Sequence, residues 1–144
     1  WNTELGLEQS ISVLAKAERA RAALFSQFTD LFSQYDLIVT PGANTPAFDV
    51  ELRFPEAING IKLEHYMAAS TLTAAVTISA SPALSLPCGF DQYGRPIGLQ
   101  LIGRPRGEAA LLAAGALFEV ESGLAEQVPI DPRHGKVPPM GKLI

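Results

Sequence analysis

The chain has 144 residues, 47% of them hydrophobic, and carries 11 lysines and arginines against 15 aspartates and glutamates, a net charge of -4. That is one ordinary domain with enough apolar content for a sizeable core, which excludes a disordered chain. The acidic balance excludes the basic footprint of a nucleic-acid or anionic-membrane binder and leaves a small neutral molecule as the expected partner.

One cysteine, Cys88, rules out an internal disulfide and fits a reducing, cytoplasmic setting. The sequence opens at Trp1 without an initiator methionine and is expected to be a piece of a longer polypeptide. Such a piece carries surplus apolar surface or an open sheet edge, so self-association is expected of it.

From Leu7 to Tyr35 the apolar residues Leu7, Ile11, Leu14, Leu24, Phe28, Leu31 and Tyr35 recur mostly every three or four positions, which predicts one long amphipathic helix. Its Ala-rich middle favours helix and lets another backbone approach closely. Asp36 to Thr40 is a short β-branched run ending at Pro41-Gly42, the pattern of a buried strand, and helix followed by buried strand suggests α/β architecture. The Pro-rich loop through Ala43, Asn44, Thr45, Pro46 and Ala47 follows, and loops beyond strand carboxyl ends line the ligand crevice of open α/β sheets. Thr40 and Asn44 are therefore pocket candidates, with turn capping as the plainer role.

Val50 to Phe54 is predicted as an edge strand, and Asn59-Gly60 between apolar residues predicts a surface β-hairpin. His65 opens a short helix running to about Ile78 and is read as a helix-start or surface residue, since no acid or nucleophile is paired with it in sequence. No Asp, Glu, Lys or Arg occurs from Tyr66 to Phe90, so this run is predicted as protein interior; its hydroxyl residues, Pro82 and Pro87 argue against a membrane span.

The organising segment is Pro82 to Gly103. Leu84 and Leu86 alternate with Ala83 and Ser85, then Ile97, Leu99 and Leu101 alternate with Gly98, Gln100 and Ile102, the period of strands. Asp91-Gln92-Tyr93-Gly94 supplies a turn between them, because Asp bonds its own backbone and Gly accepts positive φ. Gly89, Gly98 and Gly103 mark a bulge or a close backbone approach. A last helix follows Pro105, with Leu111, Leu112, Ala116, Leu117 and Val120 on one face, Glu108 in its first turn and Gly123 at its end. The tail from Val128 to Ile144 is expected to be irregular, giving a domain over 1–132 and a tail over 133–144.

No self-contained active site is visible. There is no Gly-x-Ser-x-Gly elbow, no His-Glu-x-x-His, no Walker lysine loop and no second cysteine to hold a metal with Cys88. Ser79 and Ser81 read as structural hydroxyls bonding the backbone, and Cys88 as a small buried thiol. No cofactor is implied.

Three motifs, Pro-Ala-Leu-Ser-Leu-Pro-Cys-Gly-Phe from Pro82, Gly-Arg-Pro-Ile-Gly-Leu-Gln-Leu-Ile-Gly-Arg-Pro from Gly94, and Glu-Ala-Ala-Leu-Leu from Glu108 with Glu119 beyond, resemble the C-terminal part of amidase-signature enzymes. The likeness extends back through Tyr35-Asp-Leu-Ile-Val-Thr-Pro41 and the helix before it. It implies an α/β fold with a mixed β-sheet flanked by helices, and a Ser-cis-Ser-Lys triad that forms an acyl-enzyme with a small amide substrate. Those catalytic residues belong to the N-terminal half of the family, and none matches a position here. Lys16, Lys62, Lys136 and Lys142 have no Gly-Gly-Ser-Ser-Gly partner.

The chain departs from the family at Thr77-Ile78-Ser79-Ala80-Ser81, where relatives carry Asn-Leu-x-Gly-x near the pocket. In the branch that amidates misacylated transfer RNA an acidic residue sits near the position of Ser70. A serine there favours a hydrolase of a small or uncharged amide over that branch. The expected substrate-wall positions are thus Thr40 and Asn44, from the loop beyond the strand end, and Ser70 and Thr77, from the region of the resemblance; the resemblance implies no catalytic residue here and the N-terminal half of the same enzyme as partner. The other readings are an amidotransferase subunit working with partners and a non-catalytic binding or scaffold module.

Overall fold

A computed structural model describes residues 2–124 and 127. The predicted irregular tail, its boundary at residue 132 and His134 lie outside the described residues.

The single N-terminal helix expected from periodicity is two helices, α1 (Asn2–Leu7) and α2 (Ile11–Gln34). Ser10 divides them: its backbone is extended and its hydroxyl accepts the Val13 N–H, the N-cap geometry that starts a new helix. Only the second half of α2 packs. Phe32 is buried, with Phe28 and Leu24 half-buried one and two turns earlier, whereas Ile11, Leu14, Leu31 and Tyr35 from the predicted stripe are exposed. The core stripe is thus 24-28-32, and Phe28 and Phe32 meet as tilted rings with centroids 6.4 Å apart.

Strand β1 (Ile38–Pro41) leads into the long loop, and β2 (Ala57–Ile58) with β3 (Ile61–Lys62) forms the small hairpin. Asn59 and Gly60 sit at φ 55° and 79°, the left-handed pair that a tight hairpin turn demands. The edge strand expected over Val50 to Phe54 does not form; those residues are turn and irregular chain. The helix after His65 is a 3-10 turn (Tyr66–Ser70) running into α3 (Thr71–Ile78).

The predicted central hairpin is present as β4 (Ala83–Phe90) and β5 (Pro96–Ile102). The sheet order is β1-β5-β4, with both pairings antiparallel. Combined with the helices this gives the α/β architecture expected. Asp91 makes the turn as anticipated, its Oδ1 accepting the Tyr93 and Arg95 N–H groups, each at 2.9 Å.

Alternation gives the sheet two faces. Leu84, Leu86, Leu99 and Leu101 pack with Leu37 against Leu111 and Phe118 of α4 (Glu108–Ser122). Ile102 and Ile38 on the other face pack with Phe32, Phe28 and Val76. The helix α4 does not bury the face that its leucines suggested. Leu111, Gly115 and half-buried Phe118 face the sheet, and Leu112, Leu117 and Val120 stand 60%, 63% and 78% exposed. Gly115 is the reason: a Cβ there would lie 2.2 Å from Leu84 Cδ2, so the helix comes closest where it has no side chain. Gly123 ends the helix at φ 60°, its N–H on the Glu119 carbonyl, as the sequence required.

The charge-free run from Tyr66 to Phe90 is interior only in part. Val76, Ser79, Ser81 and Leu86 are buried, but Thr71, Thr77, Ile78, Ala83, Ser85, Cys88 and Phe90 are exposed. A strand covered on one face leaves its alternate side chains in solvent unless a second layer covers them. Among the described residues no helix is long and apolar enough to cross a membrane.

Candidate functional site

A polar row crosses the middle of the otherwise apolar sheet. Register places Thr40 beside Gln100 and Gln100 beside Ser85, all pointing to the face that carries Ile102. Thr40 Oγ1 lies 3.2 Å from both Gln100 Oε1 and the Pro41 carbonyl. One hydroxyl proton serves only one of them at a time. Gln100 is 9% exposed. Its carboxamide nitrogen has no hydrogen-bond partner among the described residues.

Two glycines clear the space next to that row. Gly42 N–H bonds the Gly98 carbonyl at 2.7 Å, continuing the β1–β5 ladder, and a Cβ on Gly42 would stand 3.1 Å from Gly98 C and O. Gly98 itself has Ser85 Oγ 3.7 Å from its missing Cβ position. Gly103 is the close approach to α4, where an added Cβ would stand 3.2 Å from Leu111 Cβ, and Gly89 lies at a bulge with φ 138°. The gaps inferred from sequence are therefore two close contacts and one irregularity.

Of the four predicted wall residues, the structure ties two to distant partners. Thr40 meets Gln100, and Asn44 Nδ2 donates to Thr71 Oγ1 at 3.1 Å, pinning the loop after β1 to the start of α3. Ser70 and Thr77 serve the helix instead. Thr73 Oγ1 donates to the Ser70 carbonyl and Thr77 Oγ1 to the Thr73 carbonyl, both at 3.0 Å, and Ser70 and Thr77 are themselves exposed. Gln100, Ser85 and Thr71 join the site only through the fold. The one sequence signal for Gln100 is a lone amide inside the run Ile-Gly-Leu-Gln-Leu-Ile.

Below this wall Ser79 bonds the Val76 carbonyl at 2.7 Å, as a structural hydroxyl should. Ser81 does not follow suit: its buried Oγ has no partner among the described residues. Between them Ala80 sits at φ 57°, a left-handed conformation that strains an L side chain. It occupies the position where the resemblance places glycine.

Cys88, expected as a buried thiol, is exposed. It is the extra residue of the bulge between Pro87 and Gly89, and bulging turns it out of the ladder. Nearby, Ser85, Pro87, Phe90, Ile97, Gly98 and Leu124 are among the residues lining an open groove of about 400 Å³. At the far end of the hairpin, partial burial pushes the Asp91 carboxyl up. The Arg95 and Tyr93 backbone N–H groups and the Arg95 guanidinium outweigh that and hold it below the usual carboxylate range.

The described arrangement sets a hydroxyl and a carboxamide side by side on one face of the sheet. Among the described residues no hydrogen bond joins a lysine amine to a serine hydroxyl, and no group of three His, Cys, Asp or Glu side chains gathers as a metal site. His65 is exposed, at the N-terminal end of the 3-10 turn.

Comparison with known proteins adds the family. The amidase family model matches residues 1–112. A glutamyl-tRNA(Gln) amidotransferase subunit from Moorella thermoacetica is 44% identical over 104 residues, covering 72% of this chain and 20% of the relative. The subunit of the same name from Levilactobacillus brevis is 39% identical over 116 residues, covering 79% and 22%. The chain thus spans about a fifth of the length of the curated relatives it matches.

In structure it is similar to a bacterial aryl acylamidase of the amidase-signature enzymes, with TM-score 0.74 and 24% identity over 85% of this chain and 26% of that one. It is also similar to a protein from a vestigial complex tied to the origins of an s-triazine catabolic enzyme, with TM-score 0.71 and 26% identity over 81% and 25%. Sheet, helices, hairpin motifs and family match agree, and the chain belongs to the amidase (amidase-signature) family.

Proposed function

We propose that this chain is the C-terminal portion of an amide hydrolase, contributing sheet strands and substrate wall to a site whose Ser-cis-Ser-Lys triad comes from the N-terminal part of the same enzyme. The observation that carries this reading is the family match over residues 1–112 without any serine-lysine pair among the described residues. The exposed apolar side chains on α2, α4 and the sheet, including Ile11, Val39, Leu117 and Val120, suit a wall that the rest of an enzyme covers.

In this reading Thr40, Gln100 and Asn44 face a small uncharged amide, Ser70 and Thr77 form the margin of the pocket, and the uncommitted Gln100 N–H group orients the substrate carbonyl. The reactive serine supplies the attack, and its oxyanion donors lie outside this wall. The enzyme works in the cytoplasm and needs no cofactor. The test is an assay of the polypeptide against simple amides, alone and with the N-terminal half. Hydrolysis only in the combination is expected; hydrolysis by the isolated chain refutes the division of labour.

A second reading has a specific observation behind it, since the relatives at 39% and 44% identity are named as glutamyl-tRNA(Gln) amidotransferase subunits. Such a role delivers ammonia to an activated carboxyl instead of using water, and works beside other subunits. Co-purification of stable partners and ammonia-dependent amide formation would favour it; Ser70, in place of an acidic residue, speaks for the hydrolase.

A further inference from the structure

We infer that Arg95 is a positioning residue. From the β4–β5 turn it holds the loop after β1 in the shape that keeps Asn44 against Thr71, and it thereby sets the substrate wall. Its part in catalysis rests on the amide-hydrolase reading; the clamp itself does not.

The base of the clamp is built by the turn. Asp91 Oδ1 takes the Tyr93 and Arg95 N–H groups, while Oδ2 takes Arg95 Nε at 2.6 Å. The Asp91 backbone is bonded too, its N–H to the Arg95 carbonyl and its carbonyl to the Gly94 N–H, both at 2.9 Å. With its side chain only 12% exposed, the carboxylate is fixed before Arg95 reaches anywhere. The guanidinium lies over the Tyr93 ring, 5.0 Å from its centroid, which removes a further rotational freedom.

The arm then crosses 48 residues of sequence. Arg95 Nη1 donates to the Ala47 carbonyl in the middle of the loop. That loop has little packing to hold it, for Phe48 and Val50 are 47% and 91% exposed. Among the described residues two side-chain hydrogen bonds cross from it to the sheet and helix: Ala47 to Arg95, and Asn44 to Thr71 three residues earlier. With Gly42 bonded to Gly98 on one side and Arg95 on the other, Asn44 is held between two fixed points. A lysine offers one compact ammonium, which reaches Asp91 or the Ala47 carbonyl but lacks the planar fork that spans both.

The test uses the 144-residue chain, labelled for NMR, with Arg95→Met, Arg95→Lys and Asp91→Asn variants. In Arg95→Met the backbone order parameters of residues 43–48 are expected to fall from about 0.85 to below about 0.6, with β4 and β5 unchanged. Arg95→Lys falls between. Asp91→Asn loosens the same residues and serves where Arg95→Met disturbs the hairpin. In the chain combined with an N-terminal half and assayed on acetamide, Arg95→Met is expected to raise KM about tenfold with kcat little changed, and Arg95→Lys to restore part of it.

An ordered loop in both Arg95→Met and Asp91→Asn overturns the clamp. A loosened loop with unchanged KM, in an enzyme that does hydrolyse acetamide, overturns its role in substrate placement. No hydrolysis by the combined unsubstituted enzyme counts against the hydrolase reading, and the clamp is then judged on loop order alone.

Discussion

Replacing Ala80 by glycine is expected to stabilise the chain by about 0.5–1 kcal/mol, an unusual sign for a truncation. Ala80 follows α3 at φ 57°, its N–H on the Thr77 carbonyl at 3.2 Å, and is exposed. Left-handed backbone costs an L residue roughly 1–2 kcal/mol, and glycine removes that cost. Against it stands the larger unfolded-state entropy of glycine, roughly 0.4–1 kcal/mol. No cavity term enters, because the methyl faces solvent. For a chain of this size about 1 kcal/mol moves a thermal midpoint by about 3 °C, readable by circular dichroism on dilute samples. The internal control is Ala75→Gly, the same chemical change five residues earlier in right-handed helix, expected to cost about 1 kcal/mol. Equal signs at the two positions, or a loss at Ala80, would refute the argument from backbone strain.

Ile102→Ala, at a side chain 1% exposed against Phe32 and Val76, is expected to cost about 2–5 kcal/mol, whereas Ile97→Ala, in the same strand and 39% exposed, is expected to cost far less; equal urea midpoints would refute the two-faced sheet. Asp91 has a folded pKa below its ordinary 3.8, so its contribution to stability is full above that value and is lost as pH falls through the depressed one. NMR titration of its carboxyl checks this, and a midpoint at or above 3.8 contradicts it. Gly42→Ala should destabilise the sheet and disturb the Gly98 amide signal, since its methyl would meet backbone at 3.1 Å. Sedimentation at rising concentration should show the polypeptide self-associating, and Leu117→Lys together with Val120→Lys on exposed α4 should weaken this; a monomer at every concentration removes the expectation.

Much of the fold was legible because it rests on local chemistry. Asn59-Gly60 carries its own hairpin turn, Asp91 its own backbone bonds, and Gly123 its own helix end; none needs a distant partner. The two strands of the central hairpin showed in their alternation, and the family resemblance rested on the same residues. The errors arise where a choice lies between equivalent local options. The helix α4 is apolar nearly all round, so periodicity could not tell which side meets the sheet; Gly115 against Leu84 decides. In α2 Ser10 was a cap hidden inside a continuous apolar pattern.

The candidate site was half visible for a related reason. Thr40 and Asn44 stood out as polar groups beside a strand end, but their partners, Gln100 and Thr71, are 60 and 27 residues away. No local rule links such pairs. Likewise Cys88 looked like a small core thiol until the bulge turned it outward. The sequence by itself determined the turns, caps and strand periodicity, because each depends on a residue and its near neighbours. Tertiary structure alone decided which helix face is buried, which hydroxyls meet and where Arg95 reaches, because these depend on sheet register and on contacts between segments that the chain brings together only when folded.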